Sequence, residues 1–233
     1  KVSALKGYDS KKTLSIVEIP GLPFAEIQHG EREARRILKL EDFPQYLQDA
    51  VVAIEDRRFY SHGALDPIGI TRAIVTNVTK GGIVQGGSTL TQQTAKNFFL
   101  TQERTFSRKF REVLYSVALE RNYSKSEILE LYLNEIYLGQ QGPVSICGFG
   151  EASYHYFSKA PSQLSLSEAA LLAGMIQAPN GLNPERHLKK ATKRRDVVLA
   201  AMAEQGFISD AQKKEGQRQG ITLRKGRYPS RVA

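Results

Sequence analysis

The sequence contains little cysteine and no long apolar run. Its 233 residues include one cysteine, Cys147. A single cysteine can form neither a disulfide within the chain nor a multi-cysteine zinc site, so both are excluded. The most apolar stretch, residues 169–176, is much shorter than the roughly 20 residues of a membrane-spanning helix. We therefore predict that this stretch forms a buried helix of a globular domain.

Acidic residues are outnumbered by basic ones. The chain has 24 Asp and Glu against 33 Lys and Arg, which gives a net charge of +9 and an isoelectric point of about 9.6. Such a surplus favours polyanionic partners, namely nucleic acids, acidic lipid surfaces or phosphorylated substrates.

The order of patterns along the chain predicts a mainly α domain between two less regular ends. Residues 1–41 have the proline, glycine and short strand pattern of an extended connection. Residues 42–220 carry successive helix patterns, and residues 221–233 form a basic tail that would lead to a further domain. Because the chain starts at Lys1 without a signal peptide, we interpret it as a segment of a longer protein whose membrane anchor lies outside it.

Several helix boundaries are predicted from capping residues. Capping-box spacing occurs at Thr89 and Gln92, Ser124 and Glu127, Ser165 and Glu168, and Ser209 and Gln212. Asp42 is predicted to cap the helix before residue 55, and Gly139 to end the helix that begins after Ser124. Residues 148–150 are predicted to form a turn.

The candidate general base is Glu55, at the end of a predicted helix. Apolar residues recur before it at helical spacing and are expected to form the buried stripe of that helix. They are Leu47, Ala50, Val51 and Ile54. Glu55 lies at the edge of this stripe, where partial desolvation raises the pKa of a carboxylate and makes it a better proton acceptor. The alternative is an ordinary surface or capping glutamate.

A glycine-rich loop, residues 81–87, leads into a helix that begins with polar residues. Four of them are spaced at i, i+3, i+4 and i+7, namely Thr89, Gln92, Gln93 and Lys96. A solvated face would explain such a stripe. Solvated faces usually carry Glu and Lys, however, whereas neutral donors with one lysine near a helix start suit an anionic or sugar ligand.

The next predicted helix, residues 107–121, divides into an apolar face and a basic face. The predicted apolar face consists of Phe106, Phe110, Val113, Leu114 and Val117. The other side carries Arg104, Arg108, Arg111 and Glu112. Arg108 and Glu112 are four residues apart, so ordinary surface pairing is one interpretation. The other is a basic wall that holds a single carboxylate.

Five segments, in order, resemble the motifs of the peptidoglycan glycosyltransferase domain of class A penicillin-binding proteins. They are residues 55–62 (EDRRFYSH), 87–93 (GSTLTQQ), 108–112 (RKFRE), 125–134 (KSEILELYLN) and 194–199 (RRDVVL). One such motif would be weak, whereas five in order are specific. The family's first motif commonly continues His-x-Gly, and this chain has His62-Gly63-Ala64 instead.

The resemblance implies a lysozyme-like large lobe, a smaller membrane-touching lobe and a cleft between them. It implies that a glycan on undecaprenyl pyrophosphate is transferred to the 4-hydroxyl of lipid II, with a β-1,4 linkage formed by inversion. The implied partners are lipid II, the lipid-linked glycan strand, the bacterial membrane surface and other cell-wall synthesis proteins, but no nucleic acid. The implied location is the outer, periplasmic face of the bacterial cytoplasmic membrane.

The residues suit this reaction. Glu55 is the candidate base, and Glu112 is a second candidate catalytic carboxylate that orients cations or polarises the donor. Cations around the departing pyrophosphate would lower the barrier. The predicted substrate-binding residues are Ser88, Thr89, Gln92, Gln93, Lys96, Arg104, Arg108, Lys109, Arg111 and Asn134. Several residues that match the family motifs are expected to be structural. Asn134, Arg194 and Arg195 are as well suited to holding helices together as to contacting substrate.

No cofactor is required by this chemistry, although a divalent cation, Mg²⁺ or Mn²⁺, would suit the pyrophosphate. The sequence provides no recognisable set of metal ligands, because His29, His155 and His187 lie far apart.

Two other functions compete with glycosyl transfer. A lysozyme-like glycan hydrolase also needs a catalytic glutamate in a helical cleft, but it has no use for a cationic pocket. A nucleic-acid-binding protein would explain the positive charge, yet no zinc-finger or RNA-binding signature is present.

Contact with a bilayer is predicted within residues 68–99, because both substrates would be anchored to lipid. The side chains expected to be exposed there are Ile83, Val84, Phe98 and Phe99.

Overall fold

The fold is mainly helical, as predicted. The computed structural model describes residues 5–6, 13–14, 32–79, 87–100, 105–224 and 226. Its helices are α1 Gln45–Glu55, α2 Pro67–Thr79, α3 Leu90–Phe99, α4 Phe106–Asn122, α5 Lys125–Glu135, α6 Gly148–Phe157, α7 Leu166–Met175, α8 Pro184–Glu204 and α9 Asp210–Arg218. Its strands are β1 Leu5–Lys6, β2 Thr13–Leu14, β3 Arg32–Arg35, β4 Tyr137–Gln141 and β5 Val144–Cys147. None of the described helices has the length and apolar character needed to cross a membrane.

The core is built around α7, in which residues 167–175 are all buried. This helix packs against α1 and α8, and α5 and α6 supply much of the remaining core. From α1, Leu47, Ala50 and Val51 have no exposed surface, and Ile54 is partly buried. The predicted stripe is therefore confirmed. Its burial holds α1 rigidly on the core, and so positions Glu55 at the end of that helix.

All four predicted capping boxes are present. Thr89, Ser124, Ser165 and Ser209 each accept a hydrogen bond from the backbone N–H three residues later, and the Gln or Glu side chain at that position accepts one from the backbone N–H of the capping residue. They begin α3, α5, α7 and α9. Each box satisfies two backbone groups that would otherwise lack partners at a helix start, and this requirement depends on local sequence alone.

Other boundaries differ from the prediction. The N-cap of α1 is Pro44, and Asp42 instead accepts a backbone hydrogen bond in the 3₁₀ turn before the helix. Gly139 does not end α5, which stops at Glu135, but lies in β4. Residues 148–150 form the first turn of α6 rather than a separate turn.

A three-stranded sheet pairs a strand that precedes α1 with the hairpin that follows α5, and the sequence analysis does not predict it. The strand order is β3-β5-β4, with β3 parallel and β4 antiparallel to β5. Strands β4 and β5 are 5 and 4 residues long, too short to show a clear alternation of polar and apolar residues. Gly139 lies at the irregular register of this hairpin: its φ is +144°, and a Cβ there would meet the Tyr156 hydroxyl at 2.3 Å.

Helix α4 buries the side that carries Glu112, for which surface pairing and a basic wall were both considered. Its buried residues are Glu112, Ser116 and Leu119. Phe106 and Phe110, predicted to be buried, are 98% and 64% exposed. The carboxylate of Glu112 can be buried because Arg108 and Lys109 pair with it and neutralise its charge. The prediction of a buried apolar face is therefore wrong for Phe106, Phe110 and Leu114, whereas Val113 and Val117 of that face are partly buried.

Candidate active site

Glu55 is the last residue of α1 and is only partly exposed. Its Oε2 accepts a hydrogen bond from Nε2 of Gln93 at 3.0 Å. Burial raises the pKa of Glu55 above its ordinary value, as the sequence analysis predicts. The hydrogen bond from Gln93 and the charges of Arg194 and Lys96 lower this pKa, while Asp56 raises it. Desolvation is the largest of these effects, so Glu55 is more basic than a glutamate in water.

Gln93 joins Glu55 to a buried tyrosine. The amide Oε1 of Gln93 accepts a hydrogen bond from the Tyr132 hydroxyl at 3.1 Å. Tyr132 lies on α5 and has no exposed surface. The amide predicted to bind substrate is therefore engaged, in this structure, with the candidate base and with the core behind it.

Asp56, the residue after the candidate base, connects α1 to α3. Its Oδ2 accepts a hydrogen bond from the N–H of Leu90, the first residue of α3, at 2.9 Å. Its Oδ1 lies 2.7 Å from Nε2 of His62. Because α3 carries Gln93, this link fixes the two ends of the Glu55–Gln93 hydrogen bond. The sequence analysis assigns no role to Asp56 or His62. The hydrogen bond of Asp56 to Leu90 spans 34 residues of chain, so it depends on the tertiary structure and could not be predicted from local sequence.

The departure from the family's first motif causes no backbone strain. Gly63 does not have a left-handed φ, and a Cβ placed on it would meet nothing within 4 Å. Ala64 also lies outside the left-handed region. Its carbonyl accepts a hydrogen bond from the Thr89 hydroxyl at 2.9 Å, so the turn after His62 is tied to the start of α3.

Thr89 and Gln92 are buried and serve the helix cap. The Thr89 hydroxyl accepts from the N–H of Gln92 at 3.1 Å, and Gln92 Oε1 accepts from the N–H of Thr89 at 3.1 Å. Ser88 is partly exposed, and its hydroxyl accepts from Nζ of Lys109 at 3.2 Å. Substrate contact by these three residues stays a prediction.

Glu112 is buried between two cations. Arg108 Nη1 donates to its Oε2 at 2.7 Å, and Lys109 Nζ donates to its Oε1 at 2.5 Å. Nε of Arg108 is buried and has no hydrogen-bond partner within the described part of the chain. The basic-wall interpretation of the third motif therefore agrees with the geometry.

The other predicted cations are less closely placed. Lys96 is exposed on α3, and its charge lowers the pKa of Glu55. Arg111 is exposed, and its Nη2 donates to the Ser107 hydroxyl at 3.2 Å. Arg104 lies outside the described residues.

Asn134 connects α5 to the segment before α1. Its Nδ2 donates to the carbonyls of Leu38 and Glu130 at 2.8 and 2.9 Å, and its Oδ1 accepts from the N–H of Leu38 at 2.9 Å. These bonds occupy the amide and support the helix-knitting alternative for a residue that was predicted to bind substrate.

The two arginines of the fifth motif have different roles. Arg195 is 2% exposed and donates to the Ser167 hydroxyl and to the carbonyls of Gln217 and Gln219, which ties α8 to α7 and to the end of α9. Arg194 packs over Gly174, where a Cβ would approach its Cγ to 3.0 Å. Its charge lowers the pKa of Glu55, so this residue brings a cation to the base.

A small pocket lies beside Glu55. It is lined by Ile54, Glu55, Asp56, Arg57, Asp66, Gly69, Arg72, Gly87, Ser88 and Thr89. The pocket thus brings together the end of α1, the first turns of α2 and the entry to α3. Ser88 connects it to the cationic side chain of Lys109 and, through that lysine, to Glu112.

One cluster of side chains has the composition of a metal site. It consists of Asp56, His62 and Asp66, whose possible ligand atoms lie within 4.8 Å of one another. The fit is poor. Both oxygens of Asp56 and both ring nitrogens of His62 already have partners, and Nε of Arg58 lies 3.9 Å from Oδ1 of Asp66. This cluster fits an ion-pair network better than a site for Mg²⁺ or Mn²⁺.

Comparisons with known proteins specify the class to which this chain belongs. The chain matches the family model described as Transglycosylase over residues 21–203. Penicillin-binding protein 1B of Haemophilus influenzae is 43% identical over 90% of this chain and 27% of its own length. Penicillin-binding protein 1A of Haemophilus influenzae is 50% identical over 76% of this chain and 20% of its own length.

Structural similarity agrees with these sequence matches. A crystal structure of penicillin-binding protein 1A from Haemophilus influenzae has a TM-score of 0.51 and 26% identity, covering 84% of this chain and 19% of that one. The chain therefore belongs to the transglycosylase family and is similar to the transglycosylase part of class A penicillin-binding proteins, whose role is in cell-wall peptidoglycan synthesis. It spans about a quarter of the length of the curated relatives it matches.

Proposed function

We propose that this chain polymerises lipid II into β-1,4-linked glycan, with Glu55 as the general base. The 4-hydroxyl of lipid II loses its proton to Glu55 as its oxygen bonds to the anomeric carbon of the donor. The bond from that carbon to the pyrophosphate breaks, and undecaprenyl pyrophosphate leaves with the bonding electrons. The observation that carries this proposal is that Glu55 lines the same pocket as Ser88, which is bonded to the cationic Lys109.

The surroundings of Glu55 suit a base that works near neutral pH. Desolvation raises its pKa, which increases the driving force for proton transfer. The hydrogen bond from Gln93 and the positive charge of Arg194 act in the opposite direction and keep the carboxylate ionised. A base must be both ionised and basic, and these opposing effects satisfy the two requirements together.

The pyrophosphate is proposed to lie against Arg108 and Lys109. Both cations are held by the buried carboxylate of Glu112, so their positions are set before the ligand arrives. Cations that are organised in advance stabilise developing negative charge without a cost of reorganisation during the reaction. In this proposal Glu112 orients the cations rather than taking a proton, because both of its oxygens already accept bonds from them.

Inversion at the anomeric carbon follows from such an arrangement. The base and the leaving group must lie on opposite sides of the donor sugar, with room between them for the acceptor hydroxyl. The same requirement separates the two carboxylates of inverting glycosidases. In this chain the base comes from α1 and the cations come from α4, so the two functions belong to different helices.

The membrane is proposed to lie against an apolar surface on α3 and α4. This surface consists of Phe98, Phe99, Phe106, Phe110, Leu114 and Tyr115, all of them exposed. Phe99 stacks on Tyr115 with ring centroids 5.1 Å apart, which joins the two helices into one surface. Exposed aromatic side chains next to lysine and arginine suit an acidic bilayer, where lipid-linked substrates would be found. Ile83 and Val84, predicted to share this role, lie outside the described residues.

The direct test is to incubate the protein with lipid II in detergent and to measure the size of the products. We expect polymeric glycan from the wild type and none from Glu55→Gln. Preformed glycan strands should remain undigested. Release of soluble muropeptides without polymer would refute glycosyl transfer and favour the lysozyme-like hydrolase.

A further inference from the structure

We propose that Tyr132 is a positioning residue that keeps Glu55 in its proton-accepting state through Gln93, an inference that rests on Glu55 being the base. The three side chains come from α5, α3 and the end of α1. They form one continuous chain of hydrogen bonds, with Tyr132 O to Gln93 Oε1 at 3.1 Å and Gln93 Nε2 to Glu55 Oε2 at 3.0 Å.

The direction of every hydrogen bond in this chain is determined by the carboxylate. An ionised carboxylate can only accept, so the NH₂ group of Gln93 must face Glu55. The carbonyl oxygen of the amide then faces Tyr132, and the phenol must donate to it. By donating to the carbonyl oxygen of Gln93, Tyr132 stabilises the amide orientation in which an N–H, and not an oxygen, points at Glu55.

Tyr132 is well suited to a fixed donor role. It has no exposed surface, and the neighbouring core residues Leu129 and Leu133 have none either. Burial, followed by the charge of Glu55, raises the pKa of Tyr132 well above its usual range, so the phenol keeps its proton. Water cannot easily replace the hydroxyl in a position that is closed to solvent.

Loss of the hydroxyl would free the amide of Gln93 to turn. Its oxygen could then face Glu55, where it would repel the ionised carboxylate. The same oxygen would accept a hydrogen bond from the O–H of a protonated Glu55, which favours the protonated form. The chain also leaves Oε1 of Glu55 as the oxygen free to take the substrate's proton, since Oε2 already accepts from Gln93. The other charged groups that act on Glu55 are Arg194 on α8, Lys96 on α3 and Asp56 beside it, and none of them is altered by substituting Tyr132.

The test is the pH dependence of polymerisation by Tyr132→Phe, measured as kcat and KM on lipid II in detergent. We expect the acid limb of kcat to move to higher pH by roughly half to one unit, the size expected when one hydrogen bond to the charged form is weakened. The rate should fall several-fold on the acid side and recover at higher pH, while KM changes little.

Tyr156→Phe is the matched control. Tyr156 is 1% exposed, and its hydroxyl donates to the Leu138 carbonyl at 3.2 Å, so this variant also loses a buried hydroxyl bond. It should lower the thermal stability to a similar extent without moving the acid limb. A merely structural role for Tyr132 would make the two variants alike.

A double-mutant cycle identifies the route. If Tyr132 acts through Gln93, Gln93→Ala should move the acid limb upward, and adding Tyr132→Phe should not move it further. An unmoved limb in Tyr132→Phe, or shifts that simply add, would overturn the proposal. Should Tyr132→Phe fail to fold, an unmoved limb in Gln93→Ala overturns it equally. Full activity of Glu55→Gln would instead show that Glu55 is not the base. Failure of the proposed function can therefore be told apart from failure of the proposed role of Tyr132.

Discussion

The two candidate catalytic carboxylates occupy different environments. Glu55 is partly desolvated, and its hydrogen-bond partner is the neutral amide of Gln93. Glu112 is 3% exposed, yet it is bonded directly to two cations. The first carboxylate is therefore left basic and free to take a proton, whereas the second is neutralised by its partners. One residue type thus supplies a base or a holder of cations, depending on which groups surround it.

The largest effect is expected for Glu55→Gln. The amide keeps the size of the side chain and can still accept from Gln93, but it cannot take the substrate's proton. A positioned base contributes about 10²–10⁴-fold to the rate, so turnover of lipid II should fall at least about 10²-fold. Affinity for a lipid-pyrophosphate analogue should stay near wild type, since Arg108 and Lys109 remain. Glu41→Gln, at an exposed position, serves as the control and should keep normal turnover. Near-normal polymerisation by Glu55→Gln would show that the base is another group.

A smaller loss, of roughly ten- to a hundredfold, is expected for Glu112→Gln, because Arg108 and Lys109 lose the charge that orients them. Unlike the first variant, it should also change the affinity for the analogue. Glu120 offers a matched control on the same helix, where it pairs with Lys125 at 2.7 Å. Calorimetry should show lower stability for both Glu112→Gln and Glu120→Gln, with altered analogue binding only for the first. Equal binding by the two variants would contradict the proposed role of Glu112.

The two faces of α4 should respond in opposite ways. Leu119→Ala, on the buried face, should lower the free energy of unfolding by about 2–4 kcal/mol. The double variant Phe106→Ser and Phe110→Ser should change it by less than about 0.5 kcal/mol per site, since both side chains are exposed. That variant should instead bind acidic lipid vesicles less tightly in a sedimentation assay. Unchanged vesicle binding would contradict the proposed membrane surface.

The smallest effect concerns stability and its pH dependence. Burial raises the pKa of Glu55, so ionising this group costs more in the folded than in the unfolded protein. The raised pKa of Glu55 contributes to the free energy of unfolding in full below the ordinary glutamate pKa of about 4.3. This contribution is lost as the pH rises through the raised pKa of the folded protein. Glu55→Gln should therefore be slightly more stable than the wild type at neutral pH, and the difference should vanish in acid. Thermal unfolding of both proteins at several pH values measures this difference in stability. A Glu55→Gln variant that is less stable than the wild type at neutral pH would contradict the prediction.

Local signals were enough to determine much of the helical fold. The boxes at Thr89, Ser124, Ser165 and Ser209 were predictable because a helix start satisfies its own backbone groups with residues a few positions away. The stripe of α1 was predictable for a similar reason, since its period belongs to one helix. The position of Glu55 at the edge of that stripe predicted the direction of its pKa shift, whereas its candidacy as the base came from the resemblance to the family's first motif.

The tertiary structure decided what local pattern could not. The periodicity of α4 shows an apolar face and a charged face. The carboxylate of Glu112 can nevertheless be buried, because its ion pairs with Arg108 and Lys109 offset the cost of removing its charge from water. The sheet was unpredictable because β3 pairs with β5 across more than 100 residues of chain. The partners of Glu55 are likewise distant, with Gln93 38 residues away and Tyr132 another 39 residues beyond. Sequence by itself therefore determined which residues are candidates for the proposed chemistry. Packing of α1, α3 and α5 decided which of these candidates meet, because hydrogen bonds depend on distances that no local spacing specifies.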